Sequence, residues 1–313
     1  MNEPLVIVRA FHLASTLLLA GTIMFRCFVT APVFRTKTGG ALEDEVAARL
    51  TRIMWAALAV AILSGSAWLV LVAAEVAGSS AADAVAQGVV WTVLTQTAFG
   101  DAWMLRLEMA SLLTVLLLVP KPNPGFAFAS DIVAALLAAG LAASLAWAGH
   151  AAATEGLGGA IHLASDAVHL LAAGAWLGAL WPLSVLLARA RLATGPVSAA
   201  IAYQATRRFS ILGMISVGAI LASGAVNTYE ILGMAVFSLA TDYNRLLLAK
   251  IGLFAAMIAI AAVNRGRLTP RLAHQRDHRR AMRQLQLNSL AEAGLGVLIL
   301  VIVAMLGRIP PHQ

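Results

Sequence analysis

One cysteine, Cys27, stands in 313 residues. A lone cysteine forms no internal disulfide and no CxxC metal or redox motif. Charge is scarce as well: 12% of the residues are Asp, Glu, Lys or Arg, against about 25% in a soluble domain. There is no GxxxxGK[ST] loop and no large polar segment, which excludes a nucleotide-driven pump within this chain. Nothing in the sequence predicts an enzyme. The ten methionines form no MxM or MxxM pair, so no thioether cluster is written into the chain, and single methionines such as Met104, Met109, Met234 and Met305 read as apolar filler.

What the chain has in excess is apolar length. Hydrophobic residues make up 60% of it, in several runs near the roughly 20 residues that cross a hydrocarbon core. Short alternating segments of the β-barrel kind are missing. The fold class expected is an all-α integral membrane protein with eight transmembrane helices, over about 5–28, 53–75, 102–119, 131–148, 161–187, 209–230, 244–263 and 286–306. The connecting segments alternate in charge. Basic residues fill 26–52, 119–130, 188–208 and 264–283, the last with seven arginines, whereas 76–101, 149–160 and 231–243 hold no Lys or Arg. By the positive-inside rule the basic loops face the cytoplasm and both termini lie outside. The net charge of +7 therefore reads as topology and predicts no nucleic-acid partner. The first span lacks a basic leader and a small-residue cleavage site and is expected to remain in the membrane.

Four of the seven histidines, His12, His150, His162 and His169, fall inside or at the edge of apolar spans. All four belong to the outer side of that topology. His162, Asp166, His169 and Trp176 are spaced 4, 3 and 7 apart and share one helical stripe. Neutral imidazole binds borderline transition metals, and ionisable groups within a bilayer are costly to keep. The candidate metal ligands are therefore His12, His150, His162 and His169, with Asp166 beside them. The competing reading is a buried polar cluster that ties helices together at about 0.6 kcal/mol per contact. His274 and His278 fall in the arginine-rich loop and His312 in the tail, where a solvated side chain is expected.

The two halves, 1–148 and 149–313, echo each other with four spans apiece. Ala10-Phe11-His12-Leu13, followed by Gly21, parallels Ala167-Val168-His169-Leu170, followed by Gly178. Thr97 leads to Arg106 at the spacing by which Thr241 leads to Lys250. Ser64-Gly65 is the counterpart expected for Ser223-Gly224. Even span numbers give both halves the same orientation, as in a parallel repeat. His12 and His169 then become mates at equal depth, expected to meet where the halves join.

A second polar group is thinner. Arg106 and Lys250 lie about one turn inside their spans and can snorkel outwards; Glu108 lies near them. Glu292 lies two turns inside the last span, and a carboxylate there is protonated, paired or part of an ion path. Cys27 adjoins Arg26 at an interface, where a thiolate would suit a soft metal ion and a chance cysteine would also be tolerated.

Several of these residues resemble the CopD family of copper resistance membrane proteins. The resemblance is carried by the run from His169 to Trp176 and Gly178, by Arg207-Arg208-Phe209-Ser210 with Ser223-Gly224, and by Thr241-Asp242-Tyr243 through Lys250 with Asn264-Arg265. It is strongest over about 149–306, and His12 and Gly149-His150 also fit. Asn244 stands where that family's motif has glycine. The resemblance implies a bacterial inner-membrane protein that binds copper, as Cu(I) or Cu(II), on the periplasmic side and carries it inward. It also implies a separate CopC-like periplasmic copper-binding partner. Two other readings stay open: a redox protein holding b-type haem between paired histidines, and a sensor or scaffold that presents copper without moving it.

Overall fold

The computed structural model describes residues 3–36, 40–148, 156–193, 196–233, 239, 241–273 and 278–310. Regular structure among them is helical throughout. The first half comprises α1 (Glu3–Phe25), α2 (Ala31–Thr36), α3 (Ala41–Ala77), the short α4 (Ala81–Ala86) and α5 (Val89–Gln96), α6 (Ala98–Leu118) and α7 (Pro124–Ser144). The second comprises α8 (Gly156–Leu192), α9 (Pro196–Leu232), α10 (Asp242–Val263), α11 (Thr269–Arg271) and α12 (His278–Leu306). Local chemistry sets the starts. Thr97 and Thr241 cap α6 and α10 by accepting from the amides of Gly100 (3.0 Å) and Asn244 (3.1 Å), and Asn123 caps α7 just ahead of Pro124. Each satisfies one backbone donor that the first helical turn leaves orphaned. Gly78 ends α3 at a φ of 60°, the left-handed conformation in which a Cβ is strained.

Seven stretches are long and apolar enough to cross a membrane: Glu3–Thr36, Ala41–Ala77, Gly125–Trp147, Gly158–Leu192, Val197–Leu232, Asp242–Arg271 and His278–Leu306. The eighth expected span is α6. Its 21 residues reach about 31 Å at 1.5 Å per residue, yet it carries Asp101, Arg106 and Glu108 and so falls outside the apolar set. Two segments expected as loops, 26–52 and 188–208, are instead largely helical. A π-helical turn at Arg26–Thr30 carries α1 into α2, and α3, α8 and α9 each run for 37 residues. The reason is a second core at the arginine-rich end. There Val29, Val33, Val46 and Leu50 pack against Leu186, Leu187, Ile201 and Ala205, so apolar burial extends these helices well past a bilayer's width.

The centre of the molecule is the contact of α1 with α8. Gly21 and Gly178 meet backbone to backbone: a Cβ on Gly178 would sit 1.9 Å from the Leu17 carbonyl oxygen, and one on Gly21 2.2 Å from the Gly178 carbonyl carbon. Small residues permit this approach, the device by which helices associate where lipid removes the hydrophobic drive. Around the pair, α3 and α7 pack on α1, α9 packs on α8, and α12 touches both. On the far side α10 packs against α12 rather than α9.

Candidate functional site

Each half holds one histidine in the same setting, His12 buried and His169 half-buried. In the first, His12 Nδ1 lies 3.0 Å from the Ala61 carbonyl oxygen and 3.4 Å from Ser64 Oγ. In the second, His169 Nδ1 lies 3.1 Å from Ser223 Oγ. Gly65 and Gly224 follow these serines, and a Cβ on either would press on the imidazole Cε1, at 3.1 and 3.4 Å. The glycines make the room in which the rings sit.

The bonds decide the tautomer. A carbonyl oxygen only accepts, so His12 Nδ1 carries the hydrogen. Ser223 spends its one hydroxyl hydrogen on the Ala219 carbonyl at 2.6 Å, as Ser64 does on Val60 at 2.5 Å. The Ser223 oxygen therefore accepts from His169 Nδ1. Among the described residues the hydrogen bonds of both rings run through Nδ1, which leaves the Nε2 lone pair to offer. A metal-binding histidine is held in just this way, with its other nitrogen donating to an oxygen.

Beyond the histidines the two surroundings differ. His12 packs against Trp68 and Trp103, at ring-centroid distances of 5.6 and 5.2 Å, and shares a small cavity with Arg106. His169 has Asp166 one turn before it, whose Oδ1 accepts from Asn227 Nδ2 at 3.2 Å. Lys250 is close enough to interact electrostatically with both Asp166 and His169. Ser165 ties α8 to α9 through the Ser223 carbonyl at 3.0 Å. His162 is buried on the same stripe.

The expected meeting of His12 and His169 where the halves join is not what the described residues hold. His150 lies outside them, as do His274 and His312 and, of the methionines, Met234. Among the described residues no three of His, Cys, Asp and Glu gather in a metal-binding group. His12 and His169 are bonded within their own halves, to α3 and α9, and the centre between the halves is taken by Gly21 and Gly178. His162 and His169 are seven residues apart, about 10 Å along the axis, which is too far for one ion to bond both at about 2 Å. Adjacent pairs, His162 with Asp166 and Asp166 with His169, are the spacings one ion can bridge.

The stripe continues inward. Trp176 and Leu183 follow His169 at seven-residue steps and line a cavity of about 260 Å³. Its lining includes Ser210 of α9 and Arg265 at the arginine-rich end. Glu292, 2% exposed, reaches it from α12. Its partner is Asn264, whose Nδ2 donates at 2.7 Å, rather than Arg106 or Lys250. Asn288 donates to Asn264 Oδ1 at 2.6 Å, and Gln284 to Asn288 Oδ1 at 3.0 Å. This amide chain runs from exposed Gln284 to the buried carboxyl. Asn264 also opens a π-helical turn, Asn264–Leu268, a distortion frequent at functional sites. Cys27 is elsewhere, with its thiol on the Asp131 carbonyl at 3.4 Å. The sequence reading missed Asn227 and Asn288 and took Asn264 only as part of a family motif, although asparagine inside an apolar run is a legible signal.

Residues 1–160 match the family described as Copper resistance protein D-like, N-terminal domain, and residues 203–306 match the family described as Copper resistance protein D. The chain is 33% identical over 225 residues to a Copper resistance protein D of Pseudomonas syringae pv. tomato, covering 71% of each. It is 30% identical over 309 residues to the Inner membrane protein YebZ of Escherichia coli, covering 97% of each. It is 26% identical over 304 residues to the Copper transport protein CutJ of Bacillus subtilis, covering 96% of this chain and 52% of that one. No solved structure matches.

Proposed function

The chain belongs to the copper resistance protein D family, and from that premise we propose that it binds copper at the histidine end of α8 and passes it through the inner membrane. The observation that carries this reading is the hydrogen bond of His169 Nδ1 to Ser223 Oγ at 3.1 Å, which leaves Nε2 as the ring nitrogen to offer, one helical turn from Asp166. Copper enters from the periplasm, where a CopC-like protein is the donor of matching chemistry. It moves along the stripe in two steps, on His162 with Asp166 and then on Asp166 with His169, with His150 at the entrance. Trp176 separates this stripe from the inner cavity, where Glu292 compensates the ion's charge or carries a counter-proton.

The repeat and the topology belong to the same reading. Matched Thr caps, His–Ser–Gly settings and crossing glycines support two four-helix halves, 1–148 and 149–313, with α6 as the eighth span. Both termini then lie in the periplasm.

Copper stoichiometry and affinity of the purified protein, measured with its absorption spectrum, test the proposal. His169→Ala lowers the affinity at least tenfold, on the order of 1.4 kcal/mol. Unchanged copper binding in a folded His162→Ala/His169→Ala variant contradicts it, and so does a Soret band in place of copper.

A further inference from the structure

The first half has lost the carboxylate of the second. Counting from the paired histidines, Arg9 occupies the place of Asp166. Counting from the threonine caps, Arg106 occupies that of Lys250. Lys250 has Asp166 within electrostatic reach. Among the described residues Arg106 has no carboxylate within 4.0 Å, although it is only 4% exposed. Its Nε donates to Ser144 Oγ at 3.0 Å, and Nη2 donates to the Ser144 carbonyl. Among the described residues its buried Nη1 has no hydrogen-bond partner, and neither has Trp103 Nε1. The guanidinium stacks over that same tryptophan, 4.8 Å from the ring centroid.

Arg106 and Trp103 both line the cavity that His12 reaches, a space of about 30 Å³. The rest of the lining is Thr16 and apolar side chains, with no acid. Among the described side chains of the lining, the acceptors are the His12 Nε2 lone pair and the Thr16 hydroxyl. Neither is bonded to Arg106, and neither carries negative charge. A buried cation with spare donors and no counter-charge among the described residues is costly, and buried donors in folded proteins find acceptors. The space exceeds the roughly 10–15 Å³ that one water-sized guest needs. A small halide ion brings a counter-charge and accepts from several donors at once.

We propose that the cavity between α1, α3 and α6 binds one small monovalent inorganic anion, held by Arg106 and the Trp103 indole. The two halves thus use one helical frame for ligands of opposite sign, and the inference stands apart from where copper binds. The test is a titration of purified full-length protein in halide-free gluconate buffer with sodium bromide. Bound bromide is read by equilibrium dialysis, and thermal unfolding is recorded alongside. Wild-type protein binds one bromide saturably and gains thermal stability with it. Trp103→Phe keeps the ring but removes the N–H, and weakens bromide about tenfold, the effect of losing one hydrogen bond to an ion. Arg106→Met abolishes binding. If Arg106→Met fails to fold, Trp103→Phe alone carries the test. No saturable bromide in the wild type means that water alone meets these donors and overturns the proposal, as does unchanged affinity in folded Trp103→Phe.

Discussion

At the scale of single residues, a hydroxyl hydrogen decides the chemistry. Ser223 donates to its own helix at Ala219, so it can only accept from His169, and the imidazole is left with one nitrogen to give. Ser223→Ala removes that acceptor and leaves the ring its backbone hydrogen bond at Ile220. Copper affinity then falls by about 10–100-fold, as when outer-shell partners of metal ligands are lost, which isothermal titration measures. The counterpart Ser64→Ala alters the setting of His12 in a pocket without an acid and leaves copper affinity unchanged. Equal losses in the two variants would contradict the division of labour between the halves. The histidines themselves were legible, because imidazole inside an apolar run is conspicuous. Their directions were not: stripe spacing places a side chain on a helix face, and the neighbouring helix supplies its partner. Ser64-Gly65 and Ser223-Gly224 read in sequence only as a repeat, whereas in the structure they are what hold the rings.

At the scale of helices, the contact of α1 with α8 fixes the depth of everything else. Gly21 and Gly178 each lie nine residues after their histidine, so the backbone contact sets both rings at one level. Gly178→Ala drives a methyl group into the Leu17 carbonyl, 1.9 Å away, and the helices must part. Overpacking of this kind costs about 1–3 kcal/mol or more, and a lowered unfolding temperature in detergent is the expected result. Gly294→Ala, where a Cβ meets nothing within 4 Å, serves as the neutral comparison. An equal fall in both variants would show that α12, and not the glycine contact, limits stability. Most helix positions were readable from apolar length. The helical extensions over 26–36 and 41–52 were hidden, because basic residues mark a membrane edge and say nothing of whether a helix continues past it. The apolar positions Val29, Val33, Val46 and Leu50 carried that signal, as core residues at helical spacing among the charges.

At the scale of the whole molecule, histidines and the Glu292 cavity occupy opposite ends of one stripe on α8. If copper passes between them, capture and release are separable. Glu292→Gln keeps the side-chain volume and the bond from Asn264, so copper binding stays intact while uptake into vesicles slows. Loss of folding together with binding would make Glu292 a structural partner of Asn264, and a wild-type uptake rate would remove it from the path. The orientation has its own check. A reporter fused after Gln313 is active only outside the cytoplasm if α6 spans the membrane, and cytoplasmic activity there reduces the count to seven. The alternation of basic loops is what predicts that topology, while Arg106 and Glu108 break the apolar run of the one helix on which the count depends. The central claim, that copper travels through this chain by way of His169, is tested most directly by uptake of radioactive copper into proteoliposomes. The wild-type protein should load vesicles well above empty ones, and folded His169→Ala should do so at least tenfold more slowly. Equal rates for the two proteins, or no uptake above empty vesicles for either, would contradict it.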